Sequence, residues 1–158
     1  MAWVTGEDFL KNPRLHEEVF GPFSLGVLCK DIEQLAEALQ SFGGQLTCSI
    51  WATKEDLRQF PQVLHLAQRK AGRIVLNGVP TGVAVVPAMT HGGPFPATTD
   101  SRFTAVGVHA VRRWIRPISY QNFSEEWLPE ELQQHNPRGI WRNINGQFTK
   151  EKISPVQP

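Results

Sequence analysis

The chain has 158 residues, of which 41% are hydrophobic and 20% charged, and its formal net charge is +1. This length and balance are typical of one globular domain that buries its own core without disulfides or a structural metal. A nucleic-acid-binding surface is not indicated, because the only basic cluster is Arg112, Arg113 and Arg116 at the end of a predicted helix.

Cysteine usage and the start of the chain point to a cytoplasmic protein. Cys29 and Cys48 are the two cysteines and they form no C-x-x-C pair, which argues against a zinc ribbon or a secreted disulfide scaffold. The first residues lack the basic and apolar segments of a signal peptide, and no apolar run approaches the ~20 residues of a membrane span. We therefore expect neither a membrane nor a nucleic-acid partner.

The first part of the chain alternates strand and helix patterns. Residues 23–30 form a short apolar run typical of a buried strand. Asp31 is placed to cap the helix that follows, with Gln34 three positions later as in a capping box. The glycine pair at 43–44 ends this helix, and residues 45–52 form a second apolar strand.

A further helix and strand complete the alternation. Thr53 is a favourable N-cap, and Pro61 predicts a break of the helix near Phe60. Gly72 is predicted to end this helical stretch, and residues 73–77 are predicted to form the third strand. The order of elements predicts an α/β fold in which helices flank a parallel sheet with right-handed crossovers.

Residues 78–100 break this regular pattern. They are rich in glycine and proline yet also apolar, which predicts a long loop that packs against the domain, with a substrate channel as one option. Asp100 is placed to cap a helix over residues 101–113.

The C-terminal third is predicted to be less regular. Residues 115–121 alternate like a strand but contain Pro117, which favours an edge position. An apolar edge strand requires cover, so this segment indicates an interface. Residues from 123 onward are predicted to form short helices and turns.

Few residues show the spacing that chemistry requires. Cys29 and Cys48 lie in apolar strands, where a cysteine is ordinarily a small buried hydrophobe rather than a nucleophile. His91 is the histidine of most interest because Gly92-Gly93 follow it in the long loop, but an ordinary loop histidine is the more common interpretation. A metal-dependent hydrolase built on His91 would lack sufficient ligands, and we predict no metal site.

The segment Glu17-Glu18-Val19-Phe20-Gly21-Pro22 places acidic and aromatic side chains at a tight turn before a core strand. In an α/β sheet such a turn can border a ligand crevice, where a carboxylate accepts ribose hydroxyls and a ring lies against a flat heterocycle. A plain acidic turn explains the same residues, and on the residues alone it is the favoured interpretation.

The same segment closely resembles the E-E-x-F-G-P motif of the aldehyde dehydrogenase superfamily. Residues 71–78, Ala-Gly-Arg-Ile-Val-Leu-Asn-Gly, resemble the A-G-x-V-x-x-N segment before that family's substrate loop, and the similarity extends to about Phe123. Three later segments resemble the branch that oxidises 2-oxoglutarate semialdehyde: residues 90–100, 112–121 and 136–142.

The resemblance implies roles for particular residues. Glu18 would hold the nicotinamide ribose hydroxyls of NAD or NADP, and Phe20 would pack beside the nicotinamide ring. The residues implied to line the aldehyde entrance are Val79, Pro80, Thr81, Gly82 and Val83. Residues 1–113 would be the C-terminal portion of the catalytic domain, residues 114–123 an oligomerisation strand and residues 124–158 a C-terminal tail.

The resemblance also implies that parts of the enzyme are missing. The family's nucleophilic cysteine lies in a G-Q-x-C context and its general base in E-L-G-G, and neither context occurs here. The chain is therefore expected to be a fragment of an aldehyde dehydrogenase that is inactive and binds no cofactor alone. Its expected partners are a second copy or the missing N-terminal part. The alternative is a non-catalytic self-associating remnant or a complementing subunit.

Overall fold

A computed structural model of the protein describes residues 1–153. The chain divides into two compact units, Met1–Ile115 and Arg116–Pro158, and each is described by itself. Within the described residues no helix is long and apolar enough to cross a membrane.

The first unit is a mixed α/β structure with two small parallel sheets. Its elements are β1 (Ala2–Thr5), α1 (Gly6–Lys11), β2 (Leu25–Leu28), α2 (Ile32–Ser41), β3 (Gln45–Ile50), α3 (Lys54–Gln59), α4 (Pro61–Lys70) and β4 (Ala71–Leu76). Strand β1 pairs in parallel with β2, and β3 pairs in parallel with β4.

The predicted helix boundaries are confirmed where a capping residue marks them. The Asp31 side chain accepts a hydrogen bond from the backbone amide of Gln34 at 2.8 Å, as predicted. The reciprocal bond of a capping box differs, because the Gln34 side chain accepts from the backbone amide of Lys30 and not from that of Asp31. Thr53 caps α3 in a reciprocal capping box. The predicted break near Pro61 separates α3 from α4.

The prediction of one sheet through all three apolar strands is wrong for the described residues, because β2 and β3 are not neighbours. Strand β2 pairs instead with β1, a four-residue strand that is too short to show a periodic pattern in the sequence. Gly72 is not a helix end but part of β4, since α4 ends at Lys70.

The glycines at the starts of β3 and β4 allow a close backbone approach. A Cβ at Gly72 would lie 1.8 Å from the carbonyl oxygen of Gly92, and one at Gly44 would lie 1.9 Å from that of Pro94. The Gly44 amide also donates to the Phe95 carbonyl at 3.0 Å. The long loop therefore packs against the amino ends of both strands, as the sequence predicted for an apolar loop.

The helix predicted over residues 101–113 is wrong, because only a short 3-10 turn, Ala110–Arg113, forms there. The Asp100 carboxylate accepts from the amide and guanidinium of Arg102, only two residues away, instead of capping a helix. Thr104 donates its hydroxyl to the Val106 carbonyl, and Gly107 has a φ of +86°. These local bonds replace the helical ladder.

Residues 114–123, predicted to be an oligomerisation strand, form no strand within the described residues. Residues 115–122 make no backbone hydrogen bond to any other part of the chain that the structure describes. A strand requires the backbone of a neighbour, and none is supplied here.

The second unit contains a β-hairpin that the sequence prediction of short helices and turns missed. Strands β5 (Arg142–Ile144) and β6 (Gln147–Thr149) pair antiparallel. Asn145 and Gly146 both have positive φ, 51° and 86°, which is the geometry of the two-residue turn that Asn-Gly favours. A short 3-10 turn, Glu125–Trp127, precedes the hairpin, and residues 154–158 of the predicted tail lie outside the described residues.

The apolar core is small. The buried hydrophobic residues of the described chain are Phe9, Ala38, Ala67 and Ala71. The accessible surface is 12391 Å², whereas a globular protein of 17.8 kDa exposes about 8000 Å². Even two separate globular units of about 13 and 5 kDa would expose only about 9400 Å². The chain thus presents much surface that folded proteins ordinarily bury.

Candidate functional site

An aromatic cluster fixes the start of the acidic turn. Among the described residues, Phe9 in α1 is the one large side chain below 2% exposure, and its ring lies 4.3 Å from that of His16 and 5.3 Å from that of Phe42. His16 Nε2 also donates to the Phe9 carbonyl at 3.0 Å. Because Glu17 and Glu18 follow His16 directly, this cluster determines where their backbone emerges.

The acidic turn itself lies at the surface before β2. The Phe23 amide donates to the Gly21 carbonyl at 2.7 Å, and Gly21 has a φ of +142°, which favours glycine. The Phe20 ring is 91% exposed. Glu17, Glu18 and Phe20 line a shallow pocket of about 500 Å³.

The segment after β4 turns back along its own strand. Arg73 in β4 donates from Nη1 to the Gly82 carbonyl at 2.9 Å. The Thr81 amide donates to the Val79 carbonyl at 2.9 Å, so the segment forms a tight turn before Gly82. The bond to Gly82 therefore ties the segment after β4 to a side chain of β4 itself.

Both predicted site segments meet in one large cavity of about 1110 Å³. Glu18 lines it, and so do all residues of the predicted substrate loop from Pro80 to Val83. Val79 is not among the lining residues and is 68% exposed, and Phe20 lines only the neighbouring shallow pocket. Five of the seven residues that the sequence singled out therefore face a common space.

Arg73 and His91 also line this cavity, and sequence reasoning missed Arg73. Arg73 Nε and His91 Nδ1 are buried and have no hydrogen-bond partner among the described residues. The backbone of His91 is held by its amide, which donates to Thr104 Oγ1 at 2.9 Å. The signal for Arg73 was a charged side chain in an otherwise apolar strand, which requires a polar environment.

Neither thiol has the environment of a nucleophile. Burial raises the pKa of the Cys48 thiol above its ordinary value. Burial, and after it the nearby Asp31 carboxylate, raises the pKa of the Cys29 thiol. A raised pKa lowers the thiolate fraction at neutral pH, whereas catalytic cysteines require the opposite shift. Neither residue lines the cavity that contains Glu18. Within residues 1–153 no group of three or more His, Cys, Asp or Glu residues could hold a metal ion.

Two curated proteins are similar to most of this chain. A protein of Acinetobacter baylyi named "Alpha-ketoglutaric semialdehyde dehydrogenase" is 50% identical over 139 residues, which cover 88% of this chain and 26% of the relative. A protein of Azospirillum brasilense named "Alpha-ketoglutaric semialdehyde dehydrogenase 2" is 45% identical over 143 residues, or 90% of this chain and 27% of the relative. No family model matches.

The identities of 45–50% show that the chain belongs to the aldehyde dehydrogenases, as a C-terminal part of one. This confirms the family expected from the sequence. The chain spans about a quarter of the length of the curated relatives it matches.

Proposed function

We propose that this chain forms one wall of the active site of an NAD(P)-dependent aldehyde dehydrogenase that oxidises 2-oxoglutarate semialdehyde to the acid. The observation that carries the proposal is that Glu18 and the segment from Pro80 to Val83 face the same cavity. These are the residues to which the family resemblance gives cofactor-binding and substrate-binding roles. The names of both relatives support the substrate class.

The exposed groups of the acidic turn fit half of a nicotinamide riboside site. Glu18 makes no hydrogen bond or ion pair within the described residues, so its carboxylate is available to accept from ribose hydroxyls. Phe20 offers an apolar ring that is solvated in this chain and would lie against a flat heterocycle. When bound, the nicotinamide would supply the hydride acceptor. The protein groups orient its ring for that transfer.

The opposite wall suits a small anionic aldehyde. The entrance residues Pro80, Thr81, Gly82 and Val83 present backbone and small side chains. Arg73 adds a positive charge inside the cavity, and 2-oxoglutarate semialdehyde carries a carboxylate. Val79, which does not line this cavity, stays a predicted contact only.

We propose further that the 158 residues are inactive by themselves and bind no cofactor. Both thiols have raised pKa values and lie away from the cavity, so the chain offers no activated nucleophile there. The purified chain, incubated with NAD or NADP and 2-oxoglutarate semialdehyde, should form no reduced cofactor above background. Sustained turnover would overturn the proposal.

The role of Glu18 is tested in a reconstituted enzyme. The chain is mixed with the separately expressed remainder of the Acinetobacter baylyi relative, and the rate of cofactor reduction is measured. Losing a hydrogen bond to a charged group costs about 1.5–3 kcal/mol, so Glu18→Ala should lower kcat/KM for the cofactor by about 10- to 150-fold. Glu33→Ala, which removes an exposed carboxylate of α2 that lines neither pocket, is the control and should change it less than about threefold. Equal losses in both variants would contradict the assignment.

A second candidate function is non-catalytic self-association. The observation that favours it is the exposure of large apolar side chains along the predicted interface segment, among them Trp114, Ile115 and Ile118. Light scattering decides it, because a monomer at high concentration contradicts self-association. Recovery of activity on mixing with the missing part would instead identify a complementing subunit. The cytoplasmic location stays a prediction from the sequence.

A further inference from the structure

The chain contains two Asn-Gly pairs, Asn77-Gly78 and Asn145-Gly146. An asparagine in such a pair is prone to react with its own backbone, because glycine has no side chain that keeps its nitrogen away from the preceding residue. Both asparagines are exposed and both have positive φ, 50° and 51°. Sequence, backbone angle and exposure therefore do not distinguish the two pairs, and a difference in reactivity between them depends on their contacts.

The side chain of Asn77 is held at both of its polar atoms. Its Oδ1 accepts from the Ala52 amide at 2.8 Å, and its Nδ2 donates to the Ala52 carbonyl at 2.9 Å. The Asn77 backbone amide also donates to the Ile50 carbonyl at 2.8 Å. A reaction that expels Nδ2 must break the bonds to Ala52, and each hydrogen bond of this kind is worth about a factor of five in an equilibrium.

Asn145 and Gly146 form the tip of the hairpin of β5 and β6, and they have no such contacts. Within residues 1–153 neither the Asn145 side chain nor the Gly146 amide makes a hydrogen bond. Apart from the chain neighbours of Gly146, no heavy atom lies within 4 Å of the position that a Cβ on this residue would take. The strands have three residues each, and a two-stranded hairpin of this size opens easily. The Asn145 amide group is therefore free to turn towards the Gly146 nitrogen.

We propose that Asn145 is a site of spontaneous deamidation and that Asn77 is protected from the same reaction. The Gly146 nitrogen attacks Cγ of Asn145 and forms a new C–N bond, its proton passes to solvent, and the side-chain nitrogen leaves as ammonia. Water then opens the resulting succinimide ring. Cleavage of the new C–N bond gives aspartate, whereas cleavage of the original peptide bond gives isoaspartate, whose backbone runs through the former side chain. The net reaction consumes water, releases ammonia and changes no oxidation state.

The hairpin holds the second unit together through buried polar side chains. Arg142 in β5 is 8% exposed and donates to the carbonyls of Gln133, Gln134 and Glu151. Asn136, which is also buried, donates to the Lys150 carbonyl at 2.8 Å. Because Lys150 and Glu151 directly follow β6, these bonds depend on the register in which β6 pairs with β5.

The two products of the reaction affect this unit differently. Aspartate keeps the backbone and tolerates positive φ as asparagine does, so it adds only a negative charge to the tip. Isoaspartate adds a backbone carbon to a turn whose angles fit a loop of two residues. Since the turn sets the register of a hairpin, isoaspartate should move the Lys150 and Glu151 carbonyls away from their donors. A buried guanidinium that loses a partner is strongly destabilising, so the second unit should open.

Mass mapping of the aged chain tests the site. The full chain is incubated at neutral pH in water enriched in heavy oxygen, which labels each new carboxylate, and the peptides that contain residues 77 and 145 are quantified. In the folded chain Asn145 should convert at least about tenfold faster than Asn77, because two hydrogen bonds hold the Asn77 side chain. In guanidinium chloride, where these contacts are lost, the two rates should agree within about threefold.

Several results would overturn the site. Equal rates in the folded chain, or faster conversion of Asn77, would remove the proposed selectivity. A folded chain that converts at neither asparagine while the unfolded chain converts at both would show that Asn145 is protected as well. Selectivity that persists in guanidinium chloride would show that the contacts of the folded chain are not its cause.

Amide hydrogen exchange of the separated products tests the structural consequence. The reporter is the Ile153 amide, which donates to the Gln134 carbonyl at 2.9 Å and lies outside the turn. Its exchange should be at least about tenfold faster in the isoaspartate product, because the unit that protects it opens. Asn145→Asp, which carries the charge without the longer backbone, is the matched control and should stay within about threefold of the unmodified chain. Unchanged exchange in the isoaspartate product, or equal acceleration in Asn145→Asp, would overturn the link between backbone length and the fold of this unit.

Discussion

Replacement of Phe9 by alanine should destabilise the first unit strongly. Phe9 is 1% exposed, and its ring contacts those of His16 and Phe42. Phe→Ala changes at fully buried sites cost about 3–5 kcal/mol in free energy of unfolding. His16 and Phe42 are only half-buried and can move into the space, so we expect the lower end, about 3 kcal/mol. With a urea dependence of about 1–3 kcal/mol per molar, the midpoint should fall by about 1–3 M.

The matched control is Phe20→Ala, which makes the same chemical change at a ring that is 91% exposed. Surface substitutions of this kind usually change stability by less than about 0.5 kcal/mol. The assay is urea unfolding followed by far-UV circular dichroism and by tryptophan fluorescence. Equal destabilisation by the two changes, or a Phe9→Ala cost below about 1 kcal/mol, would refute the assignment of Phe9 as the anchor of this unit. If Phe9→Ala removes the cooperative transition while Phe20→Ala keeps it, the reasoning is supported.

Two further changes probe the loop packing and the second unit. Gly72→Ala would place a Cβ 1.8 Å from the Gly92 carbonyl oxygen and should lower the free energy of urea unfolding by about 1–3 kcal/mol. Gly82→Ala is the control and should be tolerated, because nothing lies within 4 Å of the added Cβ. Similar losses of stability in both variants would refute the packing of the loop on β4. The side-chain hydrogen bond with His135 is the largest cause of the lowered pKa of Glu125. This contribution to stability is present above its ordinary pKa of 4.5 and is lost as pH falls through the lower folded value. The midpoint of thermal unfolding should therefore depend less on acid pH in Glu125→Gln than in the unmodified chain. An unchanged pH dependence would contradict the hydrogen bond between Glu125 and His135.

The helix boundaries at Asp31, Thr53 and Pro61 could be predicted because their causes are local. Asp31 and Thr53 accept hydrogen bonds from backbone amides three residues away, and Pro61 has no backbone N–H to donate, so each boundary is decided within one turn. The turn at residues 17–22 indicated the family for a different reason. Its motif resembles that of the aldehyde dehydrogenases, and the relatives confirm this family.

Local reasoning failed where neighbours decide the conformation. Asp100 has a favourable capping side chain, but Arg102 and the hydroxyl of Thr104 provide competing partners, and no helix forms. Residues 114–123 form no strand within the described chain, because alternation in the sequence cannot supply the second backbone that a strand requires, and the oligomerisation strand stays a prediction. The Asn145-Gly146 turn was a readable hairpin signal that was missed.

The sequence by itself determined the family and the helix boundaries that Asp31, Thr53 and Pro61 mark, because motifs and caps are local properties. The tertiary structure alone decided which site residues meet. Glu18 and the segment from Pro80 to Val83 are about 60 residues apart, and they face one cavity because Arg73 returns that segment along β4. It also decided that β2 and β3 stand apart, since strand pairing depends on backbones that are distant in sequence.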